Sequence, residues 1–329
     1  MTKVLITGAA GMVGAKLVAR LTKDGAVAGK PIAAMTLVDM VAPSAGPPGG
    51  KFTVDTRAAD LSVAGAADGL IAVRPDVIFH LAAIVSSEAE ADFEKGYRVN
   101  LDGTRYLLDA IRKVGDGYKP RLVFTSSIAV FGAPFPEAIP DEFFETPLTS
   151  YGTQKAIDEL LLADYTRRGF LDGVGIRLPT ICVRPGKPNK AASGFFSGII
   201  REPLAGHEAI LPVADDVRHW HASPRSAVGF LLHAVGLDGA TLGARRSLTM
   251  PGVAATVGEQ IAALARVAGE AVTKRIRREP DATIQRIVAG WPRNFDPQRA
   301  TALGFRAENT FEEIIRIHIA DELGGTWVH

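Results

Sequence analysis

The chain has 329 residues, 47% hydrophobic and 22% charged, which are ordinary proportions for a globular enzyme of about two domains. They exclude intrinsic disorder, collagen-like repeats and a small disulfide-stapled scaffold. Its 37 Lys and Arg balance 36 Asp and Glu to a formal +1, so no basic excess exists to release counterions, and nucleic acid is not an expected partner.

Short β-rich runs alternate with longer helical patterns through the first 180 residues. The predicted strands are Lys3–Thr7, Ala33–Asp39, Lys51–Asp55, Asp76–His80, Arg121–Thr125 and Gly173–Leu178. The predicted helices are Met12–Asp24, Ser62–Val73, Ala89–Val114 and Ser150–Gly169. In the last of these, Ile157, Leu160, Leu161 and Asp164–Tyr165 have the spacing of one buried face. Gly25–Pro31 reads as a loop, and Gly- and Pro-rich Ala42–Gly50 as a surface loop. The alternation predicts an α/β fold with a Rossmann-type, doubly wound parallel sheet.

The texture changes after Pro179. Arg184–Asn189 reads as a loop, followed by helices near Phe195–Leu204, Pro224–Ala234, Val257–Ala268 and Thr310–Glu322, and a strand at Ser247–Met250. The expected division is a nucleotide-binding domain at 1–180 and a smaller, irregular substrate-binding lobe at 181–329. Segments are free to cross between the two, over a cleft at the carboxyl ends of the strands.

No stretch approaches the roughly 18 apolar residues of a membrane span, since Val77–Val85 is short and carries His80. Cys182 is the only cysteine, which excludes an intramolecular disulfide and a multi-cysteine metal site. Lys3 leads straight into Val4–Ile6 without the pattern of a signal peptide, and the expected location is the cytoplasm.

Gly8, Gly11 and Gly14 follow the first strand and open the first helix, with Met12 and Val13 between the last two. A backbone that turns sharply against a pyrophosphate needs residues without Cβ, and the helix N-terminus offers free N–H groups. Asp39 ends the next strand, where a carboxylate accepts ribose hydroxyls and repels a 2′-phosphate, favouring NAD over NADP. Asp60 and Leu61, after the third strand, stand where the adenine would lie. Tyr151 and Lys155 are four apart on one helix, so an ammonium sits beside the phenol and favours its ionised form as a general base. Ser126 and Ser127 place two hydroxyls at the carboxyl end of the fifth strand, where ligands of such sheets bind.

Together with His80-Leu81-Ala82-Ala83 and Asn100, these motifs occur in the order of the extended short-chain dehydrogenase/reductase family, which the whole chain resembles. The resemblance implies Tyr151 as catalytic acid/base and Lys155 as partner of the nicotinamide ribose. It implies Ser127 as holder of the substrate oxygen, Ser126 on the cofactor or substrate side, and Asn100 near the proton path. Leu81, Ala82 and Ala83 would pass along the cofactor, and Pro179 with Thr180 would flank the nicotinamide amide. A homodimer through helices Ala89–Val114 and Ser150–Gly169 is implied as well.

Within the family, the segments Arg177–Gly186 and Val217–Ala227 depart from the patterns of nucleotide-sugar epimerases, and Ser126-Ser127-Ile128 lacks the acid of sugar dehydratases. The chain resembles instead the members that oxidise small hydroxy acids. This implies NAD-dependent oxidation of a 2-hydroxy sugar acid, D-erythronate to its 2-oxo form. A nucleotide-sugar epimerase or reductase, an L-threonine-oxidising enzyme and a non-catalytic NAD-sensing scaffold are the alternatives. A sugar acid needs a grip for its carboxylate, and Arg184 and Arg218 are the candidates, each also able to pair with Asp215 or Asp216. Ser87 is a candidate for a substrate hydroxyl, with His219 and His221 as weaker contacts. No acid cluster accompanies the histidines, so no metal is expected.

Overall fold

Val77–His80 is buried end to end, as expected of a strand with neighbours on both sides and helices over both faces. It is one strand of a sheet that appears in the computed structural model, which describes residues 1–46, 51–186 and 192–328. In chain order come β1 (Thr2–Thr7), α1 (Met12–Asp24), β2 (Ala26–Val27), β3 (Lys30–Asp39), β4 (Thr53–Ala58), α2 (Asp68–Ile71) and β5 (Val77–His80). Then α3 (Ser86–Ala91) and α4 (Phe93–Gly96) lead through a π-helical turn, Tyr97–Asp102, into α5 (Gly103–Val114). After β6 (Arg121–Ser127) and the short β7 (Ile139–Pro140) come α6 (Ser150–Arg167) and β8 (Asp172–Leu178). They are followed by β9 (Thr180–Ile181), α7 (Gly194–Leu204), β10 (Ala209–Leu211), β11 (Arg218–Ala222), α8 (Pro224–Gly236), β12 (Ser247–Thr249), β13 (Val253–Thr256) and α9 (Val257–Ala268).

The main sheet runs β12–β8–β6–β5–β1–β3, with β4 beyond β3. Parallel ladders join β1 to β3 and β5, β3 to β4, β5 to β6, and β8 to β12. Successive strands therefore leave β1 in opposite directions, the doubly wound arrangement expected. Leu5, Ile78, Leu107, Ile111 and Phe124 are at most 1% exposed and form one core with their neighbours.

The described chain divides into two units. The first joins Met1–Val130, Thr149–Arg177 and Val228–Thr249, and the second Phe131–Leu148, Leu178–Ala227 and Met250–His329. Relative to a division at residue 180, Phe131–Leu148 goes with the second unit and Val228–Thr249 with the first. In the second, β11 pairs antiparallel with β13 and parallel with β9. Phe196, Ile199, Leu264, Phe311 and Ile315 lie in its core.

Several expectations change. The helix expected at Ser62–Val73 shrinks to α2. Asp60 accepts hydrogen bonds from the Ser62 amide and hydroxyl, and Gly65 has φ of 85°, so the chain turns before it can coil. Ala89–Val114 is not one helix. Asp92 is extended, and its carboxylate caps the Lys95 amide at 3.0 Å and starts a new helix. The expected loop Gly25–Pro31 contains a hairpin, with β2 antiparallel to β3 around Ala28 and Gly29, both at positive φ. Ser247–Thr249 belongs to the first unit's sheet rather than the second lobe. The ends of the expected loops Ala42–Gly50 and Arg184–Asn189 lie outside the described residues.

Helix α6 meets its expected burial only in part. Leu160 is 68% exposed and Ile157 and Leu161 are half-buried, whereas Gln154, Lys155, Asp158 and Glu159 are the buried ones. Leu161 and Tyr165 pack against the core beside buried Leu162, whereas Leu160 faces outward and much of the inner face is built from polar groups.

Candidate active site

Gly8 has φ of 75°, and a Cβ there would lie 2.6 Å from the Ala82 amide nitrogen. The turn after β1 is thus pressed directly onto the chain after β5. A Cβ on Gly14 would collide with the Gly8 carbonyl, so the third glycine lets α1 pack against its own turn. Gly11, which a Cβ would not crowd against anything but the Gly8 carbonyl at 3.3 Å, lines a pocket of about 350 Å³. That pocket brings together Gly8, Gly11, Asp39, Asp60, Leu61, Leu81, Ala82 and Ala83. Met12, Val13 and Gly14 form the first turn of α1 and do not line it.

Asp39 accepts hydrogen bonds from the Ala10 amide at 2.9 Å and the Met40 amide at 2.7 Å. Each carboxylate oxygen keeps a second lone pair for a ribose hydroxyl. Asp60 uses Oδ1 for Ser62. A dinucleotide fits these residues: a glycine turn, bare of side chains at Gly8 and Gly11, at a helix N-terminus for the pyrophosphate, and a carboxylate for the ribose.

Tyr151 stands in the first turn of α6, whose N-cap Thr149 accepts from the Gly152 amide at 3.0 Å. Lys155 is 2% exposed, with Nζ 4.6 Å from the Phe124 ring centre and 5.8 Å from that of Tyr151. Burial pulls the Lys155 ammonium below its ordinary value, against the opposing charges of Asp158 and Glu159. Burial lifts the Asp158 carboxyl well above the usual carboxylate range, outweighing Lys155 and the Thr104 hydroxyl.

Behind the pair lies polar machinery that sequence reading missed. His80, sealed in β5, stands 2.7 Å from the Thr7 hydroxyl through Nδ1 and 3.0 Å from that of Thr104 through Nε2. Burial first, then Lys155, pulls His80 down to about 3, so it is neutral. Arg177 donates to Glu159 from Nε and, at 2.7 Å, from Nη2. The signal was present: Gln154, Lys155, Asp158 and Glu159 repeat at one-turn spacing on one helix face.

The two serines separate by strand alternation. Ser127 is half-buried, and its Oγ accepts from the Ala129 amide at 3.1 Å. Ser126, expected on the cofactor or substrate side, turns its hydroxyl to Glu159. It is 3% exposed and donates to Glu159 at 2.5 Å. Asn100 lies in the π-helical turn rather than a regular helix. Its Oδ1 accepts from the Ile84 amide at 2.8 Å and its Nδ2 donates to Gln154 at 2.7 Å. Ser87 is half-buried in the first turn of α3.

The remaining candidates belong to the second unit. Pro179 is buried and Thr180 half-buried in β9. Arg184 donates to the Ile181 carbonyl at 3.1 Å and the Ser193 hydroxyl at 3.2 Å. Arg218 pairs with Glu259 at 3.2 Å, while Asp215 takes Arg278. His219 and His221 are buried ring against ring, 5.4 Å apart. Among the described residues no three His, Cys, Asp or Glu side chains converge as metal ligands, and no helix is long and apolar enough to cross a membrane.

A model of the NAD dependent epimerase/dehydratase family matches residues 4–222. The chain belongs to that family. Its cofactor is NAD, and the resemblance to extended short-chain dehydrogenases/reductases stands. Within the epimerase/dehydratase family, it is 48% identical to D-erythronate dehydrogenase of Cupriavidus necator over 97% of this chain and 98% of that one. It is 43% identical to D-erythronate dehydrogenase of Haemophilus influenzae over 95% and 98%. It also superposes on the crystal structure of a nucleoside-diphosphate-sugar epimerase from Agrobacterium tumefaciens with a TM-score of 0.97 and 66% identity, covering 99% of this chain and 95% of that one.

Proposed function

We propose that this protein oxidises D-erythronate to its 2-oxo acid, with Tyr151 as general base. The observation that carries the reading is the near full-length identity to two D-erythronate dehydrogenases, joined to a Tyr151–Lys155 pair on a capped helix. When bound, NAD supplies the hydride acceptor. Gly8, Gly11 and the α1 N-terminus hold its pyrophosphate, Asp39 the ribose hydroxyls, Asp60 and Leu61 the adenine, and Pro179 and Thr180 the nicotinamide amide. Leu81, Ala82 and Ala83 run beside it.

Lys155 hydrogen-bonds the second ribose and places positive charge beside Tyr151. Ser127 orients the substrate C2 hydroxyl, and Tyr151 takes its proton. Asn100 holds the Ile84 backbone to α6 through Gln154, which keeps the chain after β5 in place against the catalytic helix. Arg184 and Arg218 are assigned to the carboxylate and Ser87 to a hydroxyl.

The active form is a homodimer, supported by the outward apolar groups Leu160 on α6 and Phe93 on α4, 68% and 56% exposed. The division into a nucleotide-binding and a smaller substrate-binding part, and a cytoplasmic location for a chain whose lone cysteine is buried, complete the reading.

The name of the 66% identical neighbour favours a second reading, epimerisation of a nucleotide sugar. Initial rates of NADH formation with D-erythronate, L-threonate, D-threonate and L-threonine, beside product analysis with UDP-glucose, separate the two. D-Erythronate turnover with NAD is the expected result; an isomerised UDP-sugar with no acid oxidised sinks it. Tyr151→Phe is expected to cut turnover by about a thousandfold while NAD binding stays within about twofold.

A further inference from the structure

The carbonyl of Pro292 can only accept a hydrogen bond, and it lies 2.7 Å from Nδ1 of His219. That nitrogen therefore carries the proton. The ring is 3% exposed, stacked on Phe196 at 5.2 Å and 5°, and held against Trp291. Burial keeps it neutral, pulling it down to about 4. A neutral ring protonated at Nδ1 has a bare lone pair at Nε2, and the Thr180 hydroxyl stands 2.7 Å from it. Thr180 thus gives its only proton to His219 and makes no other side-chain hydrogen bond among the described residues. It follows β8 by two residues, at the carboxyl end of a parallel strand, where such sheets receive ligands.

We propose that His219 is a positioning residue that locks the Thr180 hydroxyl as an acceptor, so that this point selects a ligand group with a proton to give. A hydroxyl or an amide N–H is accepted there, and a ketone or carboxylate oxygen is turned away because lone pairs face lone pairs. The inference deepens the functional reading above and rests on its placing Thr180 beside bound ligand. His221 does not share the task, since its Nε2 faces Gln260 at 3.0 Å.

Nitrogen NMR of the His219 ring in the intact protein reads the tautomer without any ligand. Protonation at Nδ1 is expected, and protonation at Nε2 or at both nitrogens overturns the proposal. Two ligand comparisons then locate the donor: binding of NAD against its acetylpyridine analogue, whose ketone replaces the amide, and turnover of D-erythronate against its 3-deoxy and 4-deoxy analogues. One of the two should show a preference of about tenfold for the donor-bearing ligand. The preference should fall to within about threefold in Thr180→Val and in His219→Phe, which keeps the stack on Phe196, and return in Thr180→Ser. A preference absent from both comparisons, or lost in Thr180→Val yet intact in His219→Phe, overturns it. Should His219→Phe not fold, the tautomer and the Thr180 variants decide. If no acid is oxidised while tautomer and cofactor preference come out as expected, the functional reading fails and this one stands.

Discussion

An unfolded histidine takes up a proton near pH 6.5, whereas folded His80 resists until about 3. Between those values the unfolded chain binds more protons, so stability is whole above about pH 6.5 and declines as pH falls toward the folded value. His219 acts in the same sense down to about 4. Denaturant titrations from about pH 7 to 4 should show this loss, with a shallower slope in His80→Gln; an unchanged slope would remove His80 from the linkage. Asp39 carries a separate expectation. Asp39→Ala should lower the ratio of kcat/KM with NAD to that with NADP by about tenfold or more, because the carboxylate both binds ribose hydroxyls and repels a phosphate. The places of the glycines, Asp39, Tyr151 and Lys155 were legible because their spacing is tied to backbone geometry. Which of Ser126 and Ser127 turns inward was not, since that depends on the alignment of β6 with Glu159 of a helix that begins 23 residues after β6 ends.

Helix α6 shows what periodicity hides. A search for apolar residues at helical spacing finds Ile157, Leu160 and Leu161, and assigns them inward. Leu161 does pack on the core beside buried Leu162, but Leu160 faces outward, and much of the inner face stacks Gln154, Lys155, Asp158 and Glu159 against Asn100, Thr104, Ser126 and Arg177. Hydrogen bonds, each needing its partner on another element, make that face viable, and no single-helix pattern contains them. The Thr104 hydroxyl has a single proton to give, and its oxygen lies 2.6 Å from the Asn100 carbonyl and 3.3 Å from Asp158. The shorter contact claims it, and a neutral Asp158 carboxyl suits the longer one, in keeping with its raised value. A carboxyl raised on folding binds its proton more tightly in the native state, so it weakens stability increasingly as pH climbs above the unfolded value near 4. Asp158→Asn should therefore gain on the parent protein between about pH 5 and pH 8 in thermal melting. A difference that stays flat with pH would mean that Asp158 is ionised. The π-helical turn was equally illegible, because the same residues read as continuous helix until Asn100 is seen reaching the Ile84 backbone.

At the scale of the molecule, the doubly wound sheet was legible because alternating strands and helices leave few topologies open. The short strands β9, β10, β11 and β13 were not, since runs of two to five residues carry too little periodicity. Subunit association is the expectation at this scale. Leu160→Glu, which puts a charge on an exposed apolar point of α6, should convert the dimer to monomer in sedimentation velocity. A parent protein that sediments as a monomer, or a variant that stays dimeric, would move the contact elsewhere or abolish it. The position of β12 has a consequence for the order in which the chain can be made. Ser247–Thr249 closes the sheet against Gly175–Arg177, some 70 residues after β8 has left the ribosome. Until that late segment emerges, the nascent first unit carries β8 as a bare edge, open to any other extended chain it meets. Faithful synthesis of this protein therefore depends on an interval during which Leu178–Ala227 of the second unit is being translated while the first still waits for its last strand.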